Sequence, residues 1–233
     1  MTAPGPPADP LATVAERGSV RYPVLLDLDR VVCLVVGGGP VAERKVRGLL
    51  GVGAVVTLIA PTATPGLARA ADEGTVRWEQ RSYETSDVAA AEGGPAAPAW
   101  RFVVAATDHP AVNRQVVADA GAAGIWANDA SAPDGGPAAL PAVHRTGPVT
   151  LTVSTGGIHP GAAGWLRDEA AAAIAPEHLV ALRLLGEVRE SSPLGTRPDW
   201  RAAVESGMLD LIRAGREAEA KERLQACLSS SSD

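Results

Sequence analysis

The feature that most constrains the fold is a continuous apolar run that ends in three glycines. Residues 31–36 (VVCLVV) are all apolar, and residues 37–39 (GGG) follow directly. An apolar run of this length is typical of a parallel strand that is buried on both faces. Residues 40–51 then have the apolar spacing of a helix, and residues 54–60 return to a buried strand. The pattern therefore predicts a strand–helix–strand unit.

The glycines at the first turn match the fingerprint of a dinucleotide-binding loop, with Gly37, Gly39 and Ala42 at the three small positions and Gly38 between the first two. The first glycine permits the tight turn, the second lets the backbone approach a pyrophosphate, and the small third residue lets the helix pack on the strand. The helix would also begin with unpaired N–H groups that favour an anion. A tight turn without a nucleotide is the alternative interpretation.

The expected acidic residue about twenty positions further on is absent, because the second strand ends in Ala60, Pro61 and Thr62. The hydroxyl of Thr62 or backbone groups must then hold the ribose. An arginine that could bind a 2′-phosphate does not follow directly either, which favours NAD over NADP.

Alternating elements continue along the chain. We predict a short helix over residues 62–72, a strand over 76–83, an inserted loop over 89–99, a strand over 102–106, a helix over 110–123 and a strand over 125–128. Such alternation predicts an α/β fold with a doubly wound, Rossmann-type parallel sheet. The pattern changes near residue 130: strands are expected over 142–144 and 149–154, a helix over 160–174, and helices from 176 with a break at 191–198.

Polar residues follow two of the predicted strands. Thr107 and Asp108 come after the strand at 102–106, and Asp129 comes directly after the strand at 125–128. Since the carboxyl ends of parallel strands face the ligand crevice, the first two are candidate cofactor residues, with a helix cap and turn as the alternative. Asp129 is a candidate general base, or else a turn residue.

A second glycine-rich segment, residues 154–161 (STGGIHPG), also joins a strand to a helix. Its N–H groups and hydroxyls are suited to an anion such as a substrate carboxylate, while Ser154 or Thr155 as a helix N-cap is the compatible alternative. His144 and His159 are the histidines best suited to titrate near neutral pH.

Composition excludes several classes of function. The formal net charge of −6 argues against a general nucleic-acid binder. An apolar run approaching about 18 residues is absent, and residues 1–20 have no apolar signal region, so we expect neither a membrane span nor secretion. Two remote cysteines and four scattered histidines offer no metal-site spacing, so no metal is expected. Cys33 should be a buried, inert thiol, and the chain is expected to be cytoplasmic.

Taken together, the motifs resemble the precorrin-2 dehydrogenase family, which also forms the dehydrogenase–ferrochelatase part of sirohaem synthases. The matching segments run in family order from about residue 21 to 226: YPVLLDL, VVGGGPVAERKVRGLL, VTLIAP, VVAATDHPAVNRQV and GPVTLTVSTGGIHPGAAGWLR, followed by a helical region. The resemblance implies a homodimer that oxidises precorrin-2, a tetrapyrrole polycarboxylate, to sirohydrochlorin with NAD⁺ as the hydride acceptor. It further implies three regions, which we place at 21–130 (NAD-binding Rossmann domain), 131–174 (dimerisation and substrate-cleft region) and 175–228 (helical domain). The Pro and Gly of residues 1–20 predict a disordered arm.

The resemblance also assigns residues to roles. Pro40 and Val41 would lie on the cofactor beside the glycine loop, and Pro61 and Thr62 near the adenosine ribose. Thr155 would sit at the mouth of the substrate cleft. The remaining substrate-binding candidates are Ser154, Gly156, Gly157 and the arginines Arg145 and Arg167, of which Arg167 is the better matched.

The sequence departs from the family at the catalytic aspartate. Asn128 is followed by Asp129, Ala130 and Ser131, so that strict spacing puts Ser131 where the family has its acid. Asp129 lies two residues earlier, on the same side of an extended strand, and is the substitute we expect. His159 replaces a small hydroxyl residue and is a third catalytic candidate.

Two other functions stay open at this point. One is a bifunctional enzyme that also inserts iron into sirohydrochlorin, which the missing aspartate disfavours. The other is a non-enzymatic NAD-sensing module, which would keep the first glycine loop but would not need the second.

Overall fold

The computed structural model describes residues 21–88, 100–132, 135–191 and 200–229. Its first unit contains a five-stranded sheet in which every neighbouring pair of strands is parallel, in the order β3-β2-β1-β4-β5. The elements are β1 (Val32–Val36), α1 (Pro40–Leu50), β2 (Val55–Ile59), α2 (Pro65–Asp72), β3 (Val76–Glu79), β4 (Phe102–Ala105), α3 (Pro110–Ala122) and β5 (Trp126–Asp129). The predicted doubly wound α/β fold is confirmed.

Side chains of the strands are buried on both faces of this sheet, as the continuous apolar run in β1 requires. Cys33 and Val35 pack on one face with Val46 of α1. Leu34 and Val36 pack on the other face, against α3. Burial raises the pKa of the Cys33 thiol from 9.0 to about 11, so the thiol stays protonated at neutral pH and is inert, as predicted.

Two predicted boundaries were wrong. The helix predicted from residue 62 begins at Pro65, because the side chain of Thr64 accepts a hydrogen bond from the N–H of Leu67 as the N-cap. The strand predicted to reach residue 83 ends at Glu79, and Arg81 then donates to both Glu79 and Asp87. The inserted loop predicted at 89–99 lies outside the described residues.

The second unit comprises Pro141–Ser154 and the described residues from His159 onward, whereas Thr155–Ile158 group with the first unit. It contains an antiparallel pair, β6 (Ala142–Thr146) and β7 (Val149–Val153), on which α4 (Pro160–Ala172) packs. A helical cluster follows, with α5 (Pro176–Ser191), α6 (Trp200–Ala203), a wide turn at Val204–Met208, α7 (Leu209–Arg213) and α8 (Glu217–Ser229).

The helical cluster has its own core, which includes Leu184, Met208 and Leu224. Most of the break predicted at 191–198 lies outside the described residues, and the four predicted domain ranges stay predictions. None of the described helices combines the length and apolar character that crossing a membrane requires.

Candidate cofactor and active site

The first two glycines after β1 are required by the protein's own packing. Gly37 has a φ of 117°, and a Cβ there would lie 2.6 Å from the carbonyl carbon of Ala106. A Cβ on Gly38 would overlap the carbonyl oxygen of Thr62. The loop therefore lies tightly against the segments that follow β4 and β2, and only glycine fits at either position.

Gly39 is different, because a Cβ built on it meets nothing within 4 Å. It is the N-cap of α1, its conformation is extended, and no side chain caps the helix. Pro40 has no N–H, and the first helical bond in this turn runs from Glu43 N–H to the Gly39 carbonyl at 3.0 Å. The N–H groups of Val41 and Ala42 have no intrahelical acceptor, since the first N–H groups of a helix never do.

This arrangement fits the pyrophosphate of a dinucleotide. An open approach to the backbone at Gly39 and an uncapped helix start are the two features that such a group needs. Ala42 is fully buried against the sheet, which explains the small residue at the third position of the motif.

The end of β2 lies beside the same loop. Pro61 and Thr62 are exposed, so the predicted ribose-binding surface is accessible. Thr64 N–H donates to the Gly38 carbonyl at 2.9 Å, and the Thr64 hydroxyl donates to Glu43 Oε2 at 2.6 Å. A carboxylate therefore does stand at the start of α2, but it comes from α1.

Sequence reasoning missed Glu43 because the family pattern places the acid downstream of the second strand. The one signal available was its position in the first turn of α1. Gly66 leaves room for this side chain, since a Cβ there would overlap Glu43 Oε1. Arg47 pairs with the same carboxylate at 2.8 Å.

Thr107, after β4, is held by a buried asparagine. Its N–H and hydroxyl donate to Asn113 Oδ1 at 3.0 and 2.7 Å, and Asn113 Nδ2 donates back to the Thr107 carbonyl at 3.1 Å. Asp108 is 91% exposed and lies 3.6 Å from His109. The alternative of a helix cap and turn was right only for the turn: His109 occupies the N-cap of α3, while the Thr107 hydroxyl accepts from the His109 N–H at 3.2 Å.

Asn113 also reaches the end of β5. Its Nδ2 donates to Ser131 Oγ at 3.1 Å, and Ser131 Oγ lies 2.6 Å from Asp129 Oδ1, which also accepts from the Ser131 N–H at 2.8 Å. Thr107, Asn113, Ser131 and Asp129 thus form one hydrogen-bonded chain across two strand ends. Their contact does not come from a shared side of an extended strand, as predicted, because β5 ends at Asp129 and the Asp129 carboxylate accepts the Ser131 N–H in a turn, which is the alternative role that the sequence left open for Asp129.

The two catalytic candidates among these hydrogen-bonded residues, Asp129 and Ser131, differ in exposure. Asp129 is 4% exposed, and Gly135 packs on it so closely that a Cβ there would lie 2.7 Å from Asp129 Cβ. Ser131 is exposed. Sequence reasoning missed Asn113, whose signal was a polar residue on the buried face of α3, where it is fully buried.

Asn128 lies on the opposite face of the sheet from Asp129, in register with Val104. Its Nδ2 donates to the Ala138 carbonyl at 3.0 Å. Its Oδ1 is buried, and within the described part of the chain it has no hydrogen-bond partner. A buried acceptor of this kind is expected to bind water or a ligand.

The second glycine-rich loop contains two glycines with positive φ, Gly156 at 60° and Gly157 at 84°, and the Ile158 N–H donates to the Thr155 carbonyl at 3.2 Å. His159 is the N-cap of α4, and its Nδ1 accepts from the Ala162 N–H at 3.2 Å. The prediction that Ser154 or Thr155 caps this helix was therefore wrong.

The remaining candidates lie on the second unit. Arg167 donates through Nε and Nη2 to Asp168 Oδ1, at 2.9 and 2.7 Å, so its charge is already partly compensated. His144 is half-buried on β6, and Arg145 is exposed beside it. Among the residues that the structure describes, no three His, Cys, Asp or Glu side chains group in a way that could hold a metal ion.

The parallel sheet and the open glycine loop define a Rossmann-type nucleotide-binding protein. The family model described as "Putative NAD(P)-binding" matches residues 24–142, and the chain belongs to this family.

The chain is also similar to individual proteins whose names describe an activity. The chain is 35% identical over 208 residues to a siroheme synthase of Methylococcus capsulatus, which covers 87% of this chain and 42% of that protein. It is 38% identical over 160 residues to siroheme synthase 1 of Aeromonas salmonicida, covering 69% of this chain and 32% of that protein. The chain thus spans less than half the length of these curated relatives. Its fold is similar to that of a solved structure, SirC, precorrin-2 dehydrogenase, with a TM-score of 0.66 at 23% identity, covering 88% of this chain and 99% of that one.

Proposed function

We propose that the chain is an NAD-dependent precorrin-2 dehydrogenase that forms sirohydrochlorin on the route to sirohaem. The observation that carries the proposal is a contrast within the first glycine loop. Backbone atoms pack against Gly37 and Gly38, whereas the space beside Gly39 is empty and no side chain caps the helix that begins there. The names of the siroheme synthase relatives and of the SirC structure support the substrate.

The residues of the chain would bind the cofactor in an ordered way. Gly39 and the first N–H groups of α1 hold the pyrophosphate, while Pro61 and Thr62 lie beside the ribose. NAD⁺, when bound, supplies the hydride acceptor. The carboxyl ends of β1, β4 and β5 meet at one sheet edge, which puts Thr107 and Ser131 on the same side of the sheet as the glycine loop.

Three finer features belong to the proposal. NAD is preferred to NADP because the segment after β2 offers Pro61 and Thr62 rather than an arginine, and Glu43 adds a carboxylate nearby. The second glycine loop binds a carboxylate of precorrin-2, and Arg167, on the second unit, is a separate candidate for another carboxylate. A reducing, cytoplasmic location is proposed because both cysteines, Cys33 and Cys227, are free thiols.

The chain is also proposed to be a homodimer through the β6–β7 region. A two-stranded sheet is too small to form a core alone, and Val143 on β6 and Trp165 on α4 leave apolar surface exposed. Light scattering at micromolar concentration should give twice the chain mass, and a monomer mass would contradict the proposal.

The function is tested by incubating the purified chain with precorrin-2 and NAD⁺ and following NADH and sirohydrochlorin together. Equal amounts of both products are expected, with little turnover when NADP⁺ replaces NAD⁺. Binding of NAD⁺ without turnover would instead favour the NAD-sensing module. Parallel incubations of sirohydrochlorin with Fe²⁺ or Co²⁺ separate dehydrogenation from metal insertion.

A further inference from the structure

The buried carboxylate of Asp129 is poorly placed to touch a substrate. A general base must come within hydrogen-bond reach of the proton that it accepts. Asp129 is 4% exposed and Gly135 covers it, whereas Ser131, two residues later, is exposed. The group that a substrate meets at the end of β5 is therefore the serine hydroxyl, with the carboxylate directly behind it.

The hydrogen bonds fix the direction in which this hydroxyl points. The Thr107 N–H can only donate, so the Asn113 atom that it contacts at 3.0 Å is the amide oxygen. Asn113 must then present its NH₂ group to Ser131 Oγ, at 3.1 Å. Ser131 Oγ accepts this bond, and its own proton lies on the 2.6 Å contact with Asp129 Oδ1, because an ionised carboxylate can only accept.

Among the residues that the structure describes, one acceptor position on Ser131 Oγ is left after these two bonds, since a hydroxyl has one proton and two lone pairs. The exposed side of Ser131 therefore offers an oriented acceptor that is backed by a carboxylate. Asn113, which is fully buried and bonded to Thr107 and Ser131, keeps the hydroxyl from rotating.

From this geometry, and resting on the proposed function, we infer that Ser131 and Asp129 form a proton relay for the dehydrogenation. A proton leaves the substrate for Ser131 Oγ while the hydroxyl proton of Ser131 moves to Asp129 Oδ1. NAD⁺, when bound, would supply the hydride acceptor, so that the substrate would lose two hydrogens in all and the products would include NADH and one proton. After product leaves, the relay runs backward and releases the proton to water.

In this relay Ser131 is the catalytic residue, and Asp129 and Asn113 are positioning residues that act through it. The relay gives the exposed hydroxyl of Ser131 and the buried carboxylate of Asp129 one joint role. The substrate group that it recognises is a hydrogen-bond donor at the reacting centre, as a pyrrole N–H of a tetrapyrrole would be.

The test is a double-mutant cycle on turnover at saturating NAD⁺ and precorrin-2. Asp129→Asn keeps the shape of the side chain and should lower kcat about 10²- to 10⁴-fold, with KM nearly unchanged. Ser131→Ala alone should lower kcat about tenfold or more. Adding it to Asp129→Asn should lower kcat by no more than about twofold further, because two members of one relay are not independent. Ser131→Thr, which keeps a hydroxyl, should retain most of the activity.

Asp129→Ala is expected to be slower than Ser131→Ala, since water can enter the space that the hydroxyl leaves and reach the carboxylate. NAD⁺ affinity, measured by calorimetry, should stay within about twofold of wild type in every variant, because the relay touches no phosphate. A loss of folding would lower that affinity as well, which separates a structural effect from a chemical one.

Several outcomes overturn the relay. If the effects of Ser131→Ala and Asp129→Asn multiply, the two residues act independently. If Asp129→Asn turns over normally, or if Ser131→Ala is the slower enzyme and Asp129→Ala is nearly normal, the carboxylate has no part. Failure of the wild-type chain to oxidise precorrin-2 despite binding NAD⁺ would overturn the proposed function, and the relay with it.

Discussion

The two glycine-rich loops have the same layout, but the helix after the first loop has no side-chain cap and the helix after the second loop has one. Each follows a β-strand and leads into a helix whose first residue is a proline, Pro40 in α1 and Pro160 in α4. At the first loop the N-cap is Gly39, with no side chain over the helix end. At the second loop the N-cap is His159, and its ring already accepts the Ala162 N–H.

The difference shows which helix end is available to a ligand. Unpaired N–H groups at a helix start attract anions, and a capping side chain removes part of that attraction. The start of α1 is open to a phosphate, whereas α4 is partly satisfied by its own histidine. An anion at the second loop must therefore be held mainly by the loop backbone around Gly156 and Gly157, rather than by the helix end.

The largest expected effect is a difference in stability between variants of two glycines in the first loop. Gly38→Ala should lower the free energy of unfolding by about 3 kcal/mol or more, because the new Cβ overlaps the backbone oxygen of Thr62, which cannot move aside as a side chain could. Urea denaturation measures this change. The matched control is Gly39→Ala, which should lower stability by only about 1 kcal/mol, since nothing lies near its Cβ and the remaining cost is that alanine is a poorer N-cap than glycine.

If the two alanine variants had equal stability, the division of the loop into a packed part and an open part would be wrong. A Gly39→Ala variant destabilised as much as Gly38→Ala would point to a packing role for Gly39 and remove the main support for a ligand there.

The second effect is on cofactor binding. Gly39→Asp should weaken NAD⁺ binding about 100-fold or more, because a carboxylate beside the pyrophosphate repels it and occupies the N–H groups of α1. Stability should hold or rise slightly, since aspartate is a better N-cap than glycine. Calorimetric titration with NAD⁺ and a urea curve on the same sample give both quantities.

Unchanged NAD⁺ affinity in folded Gly39→Asp would refute the cofactor assignment. Weaker binding together with lower stability would show only that the loop had been distorted.

The first loop was predictable from sequence and the second only in part. The apolar run and the spacing of Gly37, Gly39 and Ala42 are local signals, and the strand, turn and helix around them form as predicted. The N-cap at His159 was not predicted, because a histidine cap has no propensity signal comparable to that of serine or threonine.

The hydrogen-bonded residues of the candidate active site were also only partly predictable from the sequence. Asp129 and Ser131 were candidates from their place at a strand end, yet their order of exposure depends on Gly135, which arrives from a later turn. Asn113 and Glu43 each lie on a helix and bond a loop residue 18 and 21 positions away, and such tertiary partners leave no periodic signal.

The smallest effect concerns the second loop. His159→Ala should destabilise the chain by about 1 kcal/mol, the usual value of a lost N-cap, because the Ala162 N–H loses its side-chain acceptor. His159→Ser should restore most of this, since a serine oxygen accepts the same kind of bond. The matched control is His109→Ala: His109 is the N-cap of α3, but it makes no side-chain cap bond, so its loss should be nearly neutral.

The same three variants separate the cap from the catalytic role predicted for His159. If the cap is what matters, His159→Ser turns over precorrin-2 like wild type, since a serine replaces the hydrogen bond but not the imidazole. A folded His159→Ser enzyme with kcat lowered by about 10²-fold or more would show that the ring takes part in proton transfer. The second loop would then be an active-site element in its own right, and the contrast with the first loop would be one of chemistry rather than of availability.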